Sequence, residues 1–168
     1  MSTTETVRIH RLKGGIAQTV EDTVAVEQPV SIEIDGDLQV ETTCSPGDLG
    51  AWVLGYLASE GWITKPQDVA RLVHDEGAYS VRLRHRPIRK KPAPVDSEWI
   101  LGRDRLFDVA AELVARSETF KQTGGTHAMA IADGNKILAF AEDISRTCAL
   151  EKAIGEGLAL GCGFAQSL

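Results

Sequence analysis

The chain has 168 residues, of which 43% are hydrophobic and 25% are charged, and its formal net charge at pH 7 is −6. This length and composition are typical of one globular domain that buries a core, and they exclude disordered and collagen-like chains. The acidic balance argues against a protein that mainly binds nucleic acid, since that affinity comes largely from Lys and Arg neutralising phosphates.

The sequence also gives expectations about compartment, redox state and metal content. No stretch approaches the roughly 18 to 20 uninterrupted apolar residues needed to span a bilayer, and the N-terminus has no signal-peptide pattern, so we expect a cytoplasmic protein. Cys44, Cys148 and Cys162 are an odd number of cysteines at irregular spacing, which fits neither a disulfide framework nor a zinc ribbon. Reduced thiols and no structural metal are therefore expected.

Two pairs of strands are predicted in the first half of the chain. The Val- and Ile-rich residues 23–34 and the stretch 38–44 flank Asp35-Gly36-Asp37, whose residue types favour a turn, so they predict a β-hairpin. Residues 68–73 and 78–83 predict two further strands.

Three helices are predicted from caps and apolar spacing. Ser45 is expected to be the N-cap of the first, with Pro46 at the first helical position and the end at Gly61. Apolar residues at helical spacing predict the others over residues 104–117 and 146–160.

A second hairpin is predicted between the last two helices. Thr123-Gly124-Gly125 interrupts the chain before the apolar stretch 127–132, and Asp133-Gly134-Asn135 predicts a turn into the partner strand 136–143. This mixture of hairpins and helices predicts a layered α/β or α+β domain.

Three blocks of sequence carry a resemblance to a known family. The first comprises VAVEQP at 24–29, CSP at 44–46 and GYLASEG at 55–61; the second is FKQTGGTHA at 120–128; the third is EDISRTCALEKAIG at 142–155. In this order they are similar to blocks of the FdhD/NarQ family of formate dehydrogenase accessory proteins, and together they extend over most of residues 23–155.

The resemblance implies a fold class. It is α/β, with a layered, cytidine-deaminase-like α/β/α domain that is incomplete at the C-terminus and a smaller N-terminal α+β portion. We expect residues 1–103 to form the N-terminal portion with a basic, Pro-containing linker, and residues 104–168 to begin the cytidine-deaminase-like domain.

The resemblance also implies a function. Such a protein would be a sulfurtransferase or chaperone that brings sulfur from a cysteine desulfurase to a bis-guanine-dinucleotide molybdenum cofactor. The acceptor would be a molybdenum- or tungsten-dependent formate dehydrogenase. The cofactor would be bound as cargo, GDP or GTP could mimic it, and a homodimer is a possible assembly.

Two departures from the family pattern leave a second function open. The family carries a Cys-x-x-Cys loop where this chain has residues 84–105, which contain no cysteine. The family also continues beyond the third block, so the chain is either a fragment or a shortened member. The alternative is a non-catalytic nucleotide- or partner-binding module that has lost the sulfur relay.

Seven residues are the candidates for binding the cofactor. Paired glycines allow backbone N–H groups to approach a phosphate, and an Arg at a helix start can hold one bidentately. The alternatives are a tight turn into a buried strand, and a local ion pair with an N-cap. The candidates are Thr123, Gly124, Gly125, His127, Glu142, Asp143 and Arg146.

Cys148 is the candidate catalytic thiol. If Ser145 caps the last helix, Cys148 lies in its first turn, where the helix dipole and the Arg146 cation would lower its pKa. The alternative is a small buried hydrophobic residue. Cys44 is expected to pack rather than react, and nothing in the sequence defines the surroundings of Cys162.

Two further features of the sequence bear on function. The basic run from Arg82 to Lys91 could contact an acidic partner or the pyrophosphate of the cofactor, or it could be a solvated linker. Zinc-dependent deamination is excluded, because it requires H-x-E with P-C-x-x-C and neither signature is present.

Overall fold

The computed structural model describes residues 2–85 and 100–162. In chain order the elements are β1 (Thr4–Lys13), β2 (Ile16–Ala25), β3 (Gln28–Ile34), β4 (Asp37–Cys44), α1 (Leu49–Ser59), a 3-10 turn (Pro66–Asp68), β5 (Val69–Asp75), β6 (Ala78–Leu83), α2 (Arg103–Arg116), α3 (Glu118–Thr123), β7 (His127–Ala132), β8 (Ile137–Asp143) and α4 (Arg146–Ala159). None of the helices in these two ranges is long and apolar enough to cross a membrane.

The described strands form three sheets. Strands β1 and β2 make a two-stranded antiparallel ribbon, and β7 and β8 make a second one. The remaining four strands form a mixed sheet in the order β4-β3-β6-β5, in which β3 and β6 run parallel and the other pairs are antiparallel.

The larger core lies between the four-stranded sheet and α1. Val30, Ile32 and Ile34 alternate along β3 and are buried, as expected for a strand with one face on a core. They pack with Trp52 and Leu57 of α1, which are fully buried. The sheet thereby fixes the position of α1.

Helix α4 joins this core to the second hairpin. It contacts α1 on one side and β7 and β8 on the other, where Ala153 packs against Ile131, Ala139 and Ala141. Helix α2 also contacts β7 and β8. The mixed α/β class is confirmed, whereas the cytidine-deaminase-like layering and the boundary at residue 103 stay predictions. Across that boundary, Cys148 of α4 belongs to the same core as Trp52 of α1.

The predicted start of the first helix is wrong. Helix α1 begins at Leu49 and its N-cap is Asp48, in the left-handed region with φ 49° and without a side-chain cap. Ser45 is not the cap because residues 46–48 are not helical, and its hydroxyl instead accepts a hydrogen bond from the backbone N–H of Ile144. Ser45 therefore makes a tertiary contact with Ile144 instead of capping α1.

The predicted N-terminal strand is also corrected. Residues 23–34 are two strands, because β2 ends at Ala25 and β3 begins at Gln28. The β1–β2 ribbon and the short helix α3 were not predicted. Gly14-Gly15, both with positive φ, between two alternating runs is the signal that could have revealed the ribbon. The later strands and the helices α2 and α4 are confirmed with small differences at their ends.

Candidate functional site

Two strand-to-helix turns meet at the centre of the site. The turn from β4 to α1 carries Ser45, and the turn from β8 to α4 carries Asp143 and Ile144. The N–H of Ser45 donates to Oδ2 of Asp143 at 3.0 Å, and the N–H of Ile144 donates to the Ser45 hydroxyl at 3.0 Å. These reciprocal bonds hold the start of α4 against the end of β4.

A buried ion pair lies beneath these turns. Lys152 Nζ is 2.7 Å from Asp143 Oδ2, and the two side chains are only 3% and 0% exposed. Lys152 also donates to the carbonyl oxygen of Ser45 at 2.8 Å, and Asp143 Oδ1 accepts from the N–H of Ser145 at 2.8 Å. Asp143 precedes Arg146 by three positions, but its ion-pair partner is Lys152.

Two cysteines complete the buried cluster. Cys44 is the last residue of β4 and Cys148 lies in the first turn of α4, where Ser145 is the N-cap as predicted and its hydroxyl accepts from the N–H of Cys148 at 3.3 Å. The thiol of Cys44 donates to the sulfur of Cys148 at 3.0 Å. Both residues are buried.

The hydrogen bond between the two thiols shifts their pKa values in opposite directions. It raises the pKa of Cys44, with burial adding to the effect, and it lowers the pKa of Cys148. The expected direction for Cys148 is therefore correct, but its cause is the Cys44 thiol rather than Arg146. Cys44 packs in the core, as expected.

The same cluster has the donor types of a metal site. One ligand atom each of Cys44, Asp143 and Cys148 lie within 4.8 Å of one another. However, both oxygens of Asp143 are engaged by N–H donors, and the Lys152 ammonium group contacts the carboxylate that a metal would need. An adjacent cation opposes metal binding. The absence of a structural metal stays a prediction.

Glu151 is a titratable group at the edge of this cluster. Its carboxylate accepts a hydrogen bond from Trp52 Nε1 at 2.8 Å. Burial raises the pKa of Glu151 to about 7, and the Trp52 hydrogen bond opposes that shift. Neither residue was identified from the sequence as part of the site.

We expect Glu151 to make the protein less stable as pH rises. Because the pKa of the folded state, about 7, exceeds the ordinary value of 4.5, folding favours the protonated carboxyl. Its contribution is fully present below pH 4.5 and is lost as pH rises through 7, by on the order of 2 kcal/mol. Urea unfolding of wild type and Glu151→Gln at pH 5 and pH 8 measures the contribution. Identical pH dependence of the two proteins would refute it.

Glu142 is engaged inside the protein rather than with Arg146. Its carboxylate accepts hydrogen bonds from the backbone N–H groups of Thr119 and Phe120 at 3.0 and 2.8 Å. It also accepts from the Thr126 hydroxyl at 3.1 Å. Glu142 therefore ties the start of α3 to the end of β8.

The glycine turn does not offer the free donors that were expected. The N–H of Gly124 donates to the carbonyl of Phe120 at 2.7 Å, and the N–H of Gly125 donates to the Thr123 hydroxyl at 3.0 Å. The turn instead ends α3, with Gly124 in the left-handed conformation at φ 65°. Both N–H groups are therefore bonded within the turn, as expected if these residues form a tight turn into a strand.

Four of the candidate residues are exposed at one end of the β7–β8 hairpin. His127 pairs with Asp143 in the antiparallel register, so the residues before β7 and after β8 lie at the same end of that hairpin. The exposed residues are Gly124, Gly125, His127 and Arg146. We call this set the hairpin-end surface.

The start of α4 contributes backbone donors to the hairpin-end surface. Within the two described ranges, no hydrogen bond is formed by the N–H groups of Arg146 and Thr147. Such free N–H groups at the first turn of a helix are suited to binding an anion. Arg146 adds a guanidinium group at the same place.

No role at the site was predicted for Lys152, and Ser45 was expected only to cap the first helix. Lys152 follows Cys148 by four residues, and both lie on the buried side of α4 with Ala149 and Ala153. A lysine on an otherwise apolar helical stripe signals a buried partner. Of the basic run, Arg82 and Arg84 lie in the described ranges, while Arg86, Arg89, Lys90 and Lys91 lie outside them.

Comparison with known proteins gives a family and a fold. The family model described as the FdhD/NarQ family matches residues 25–97 and 87–168. A sulfur carrier protein FdhD from Anaeromyxobacter sp. (strain K) is 34% identical over 85% of this chain and 63% of its own length. Another from Shouchella clausii is 28% identical over 92% of this chain and 69% of its own length. The chain thus spans roughly two thirds of these relatives.

One solved structure supports the fold. A protein from Desulfotalea psychrophila, described as a formate dehydrogenase accessory protein, superposes with a TM-score of 0.82 over 99% of this chain and 73% of that protein. At 21% sequence identity, this likeness establishes the fold alone. Together with the family match over most of the sequence, it confirms the resemblance carried by the three blocks, and the chain belongs to the FdhD/NarQ family.

Proposed function

We propose that this chain is an accessory protein for a formate dehydrogenase and acts in the sulfuration of a bis-guanine-dinucleotide molybdenum cofactor, as a sulfurtransferase or chaperone. The observation that carries the proposal is membership of a family whose relatives are named sulfur carrier protein FdhD. A cysteine desulfurase would supply the sulfur, and a molybdenum- or tungsten-dependent formate dehydrogenase would receive the cofactor. The cytoplasm is the proposed compartment, and the chain could act as a homodimer.

The hairpin-end surface is the proposed place where the cofactor phosphates bind as cargo. Arg146 and the free N–H groups of the first turn of α4 supply positive electrostatic potential there, and His127 adds an imidazole. Thr123, Glu142 and Asp143 position this surface from beneath, since their side chains bond to neighbouring backbone and side-chain groups. Gly124 leaves open space beside it, whereas a Cβ at Gly125 would meet the Cβ of Ala25 at 3.4 Å.

We expect GDP to bind with modest affinity, with Arg146 contributing much of it. Arg146→Ala should weaken GDP binding by about 1.5 to 3 kcal/mol, because a charge-assisted hydrogen bond to phosphate is lost. Isothermal titration calorimetry measures the difference. Arg11→Ala is the matched control, since it removes the same charge from an exposed residue of the β1–β2 ribbon.

The two variants separate a specific site from general charge attraction. A similar loss in Arg11→Ala and Arg146→Ala would mean that GDP responds only to net charge. Equal affinity of wild type and Arg146→Ala would remove Arg146 from the binding site. Both titrations should be repeated at higher ionic strength, because exposed charge effects are screened there.

The second candidate function is a non-catalytic nucleotide- or partner-binding module that has lost the sulfur relay. Two observations favour it. The sequence has no cysteine in residues 84–105, and Cys148, the candidate catalytic thiol, is only 2% exposed. A thiol in this position cannot meet the persulfide of a partner unless the turns around Ser45 and Ser145 open.

We expect little or no persulfide on this chain after incubation with a cysteine desulfurase and cysteine. Any sulfur carried by this chain has to be on Cys44, Cys148 or Cys162. Cys148 is the favoured thiol, because it lies at a helix start and the Cys44 hydrogen bond lowers its pKa. Alkylation that traps persulfides, followed by digestion and mass spectrometry, locates the sulfur. Cys148→Ser is the control.

The result decides between the two candidate functions. A persulfide on Cys148 that disappears in Cys148→Ser would establish sulfur transfer and eliminate the non-catalytic module. Ordinary alkylation of Cys44, Cys148 and Cys162 would support the module. A small amount of persulfide distributed over Cys162 and Cys44 would indicate a nonspecific reaction of these thiols.

A further inference from the structure

Cys44 and Cys148 are brought together only by the fold. They are 104 positions apart in the chain, yet their sulfur atoms are 3.0 Å apart. Cys44 is 0% exposed and Cys148 is 2% exposed, and both are free thiols. The sulfur of Cys148 also lies 3.7 Å from the carbonyl oxygen of Thr43, so it is held between two groups of the β4 end.

We propose that Cys44 and Cys148 form a reversible disulfide, so that the core of this protein contains a dithiol–disulfide couple. This inference does not depend on cofactor binding or on sulfur transfer to a partner. It concerns a covalent modification site that joins the end of β4 to the first turn of α4.

The geometry needs only a small adjustment. A disulfide bond is about 2.0 Å long, so the two sulfur atoms would have to approach by about 1 Å. Cys148 follows the non-helical Ser145 by three positions, and Cys44 is the terminal residue of its strand. Cys44 therefore ends a strand, and Cys148 lies in the first turn of a helix.

The surroundings oppose metal binding, and the hydrogen bond between the thiols assigns their roles. Lys152 Nζ is held between Asp143 and the Ser45 carbonyl, which places a positive charge in the buried cluster. This ammonium group repels a metal ion, and it is paired with the Asp143 carboxylate, whose negative charge opposes a thiolate on either cysteine. Because Cys44 donates its proton toward Cys148, the sulfur of Cys148 is the nucleophile and Cys44 is the resolving thiol.

The reaction with glutathione disulfide balances as follows. The Cys148 thiolate attacks one sulfur of the oxidant, which forms a mixed disulfide and releases one glutathione thiolate. Cys44 then loses its proton and its sulfur attacks the Cys148 sulfur, which releases the second glutathione thiolate. The two cysteines are oxidised by two electrons, and glutathione disulfide is reduced to two glutathione thiols that take up the two protons.

The disulfide would have two consequences for the protein. It would fix the start of α4, where Arg146 and its neighbouring free N–H groups lie, relative to the four-stranded sheet. It would also withdraw Cys148 from sulfur chemistry, because a thiolate is required to attack a persulfide. The oxidised protein would be able to bind ligands but not to accept sulfur through Cys148.

The test uses the full chain with Cys162→Ser, so that Cys44 and Cys148 are the remaining cysteines. The reduced, unfolded protein is refolded in a series of mixtures of reduced and oxidised glutathione. The thiols are then accessible to the oxidant before folding buries them. Acid quenching, alkylation in denaturant and intact-mass measurement give the fraction of internal disulfide. The same series in concentrated urea gives the reference for the unfolded chain.

We expect an internal disulfide whose equilibrium constant is roughly tenfold or more above that in urea, since the fold aligns the thiols. Cys44→Ser combined with Cys162→Ser should form none, and its mass should change only by mixed disulfides. Retention of both thiols by the refolded protein at every glutathione ratio would overturn the inference. An equilibrium constant equal to or below that in urea would overturn it as well, because the fold would then not favour the bond. Neither outcome depends on whether the protein binds GDP.

Discussion

Lys152→Ala is expected to lower the free energy of unfolding by about 3 to 5 kcal/mol. The substitution leaves the Asp143 carboxylate buried without its ion-pair partner, and it also removes the donor to the Ser45 carbonyl. A buried charge without compensation is costly because it has lost its hydration. Urea denaturation of the folded variants measures the loss.

A surface lysine supplies the matched control. Lys121 pairs with Glu118 at 2.8 Å, but those side chains are 45% and 69% exposed. Lys121→Ala should therefore change the free energy of unfolding by at most about 1 kcal/mol. If Lys152→Ala were as mild as Lys121→Ala, Asp143 would not require its partner, and the buried ion pair would not be important for the stability of the site.

Gly55→Ala is expected to lower the free energy of unfolding by about 3 kcal/mol or more. A Cβ at Gly55 would lie 1.7 Å from the backbone carbonyl oxygen of Glu151, so α1 and α4 would have to separate. Backbone cannot move aside as the end of a flexible side chain can. The separation would disturb the core around Trp52 and the turns that hold Asp143. Thermal or urea unfolding measures the effect.

Gly50→Ala is the control in the same helix. No atom lies within 4 Å of a Cβ built at Gly50, so alanine there should stabilise α1 by about 0.5 to 1 kcal/mol through its greater helix propensity. If Gly55→Ala lowers the free energy of unfolding and Gly50→Ala raises it, close packing rather than helix propensity determines the effect at Gly55. A mild effect at both positions would contradict the close approach of α1 and α4.

Local patterns in the sequence were sufficient for much of the secondary structure. The strands β5 to β8 follow from apolar runs bounded by turn residues, and Ser145 could be named as a candidate N-cap of α4 because the pattern is local. The start of α1 was predicted wrongly because its surroundings are not local. Ser45 has the side chain of a cap, but its hydroxyl is used by Ile144, 99 positions away.

The candidate site divides in the same way. The sequence by itself determined the family, through three blocks in order, and it selected the residues at the hairpin end and the thiol of Cys148. Only the tertiary structure decided their partners: Asp143 with Lys152, Glu142 with the start of α3, and Cys148 with Cys44. The reason is physical, since residue types at local spacing fix helices, strands and caps. The partner of a buried charge or thiol depends on which distant elements pack beside it, such as α1 and α4, which approach each other closely at Gly55 and Gly155.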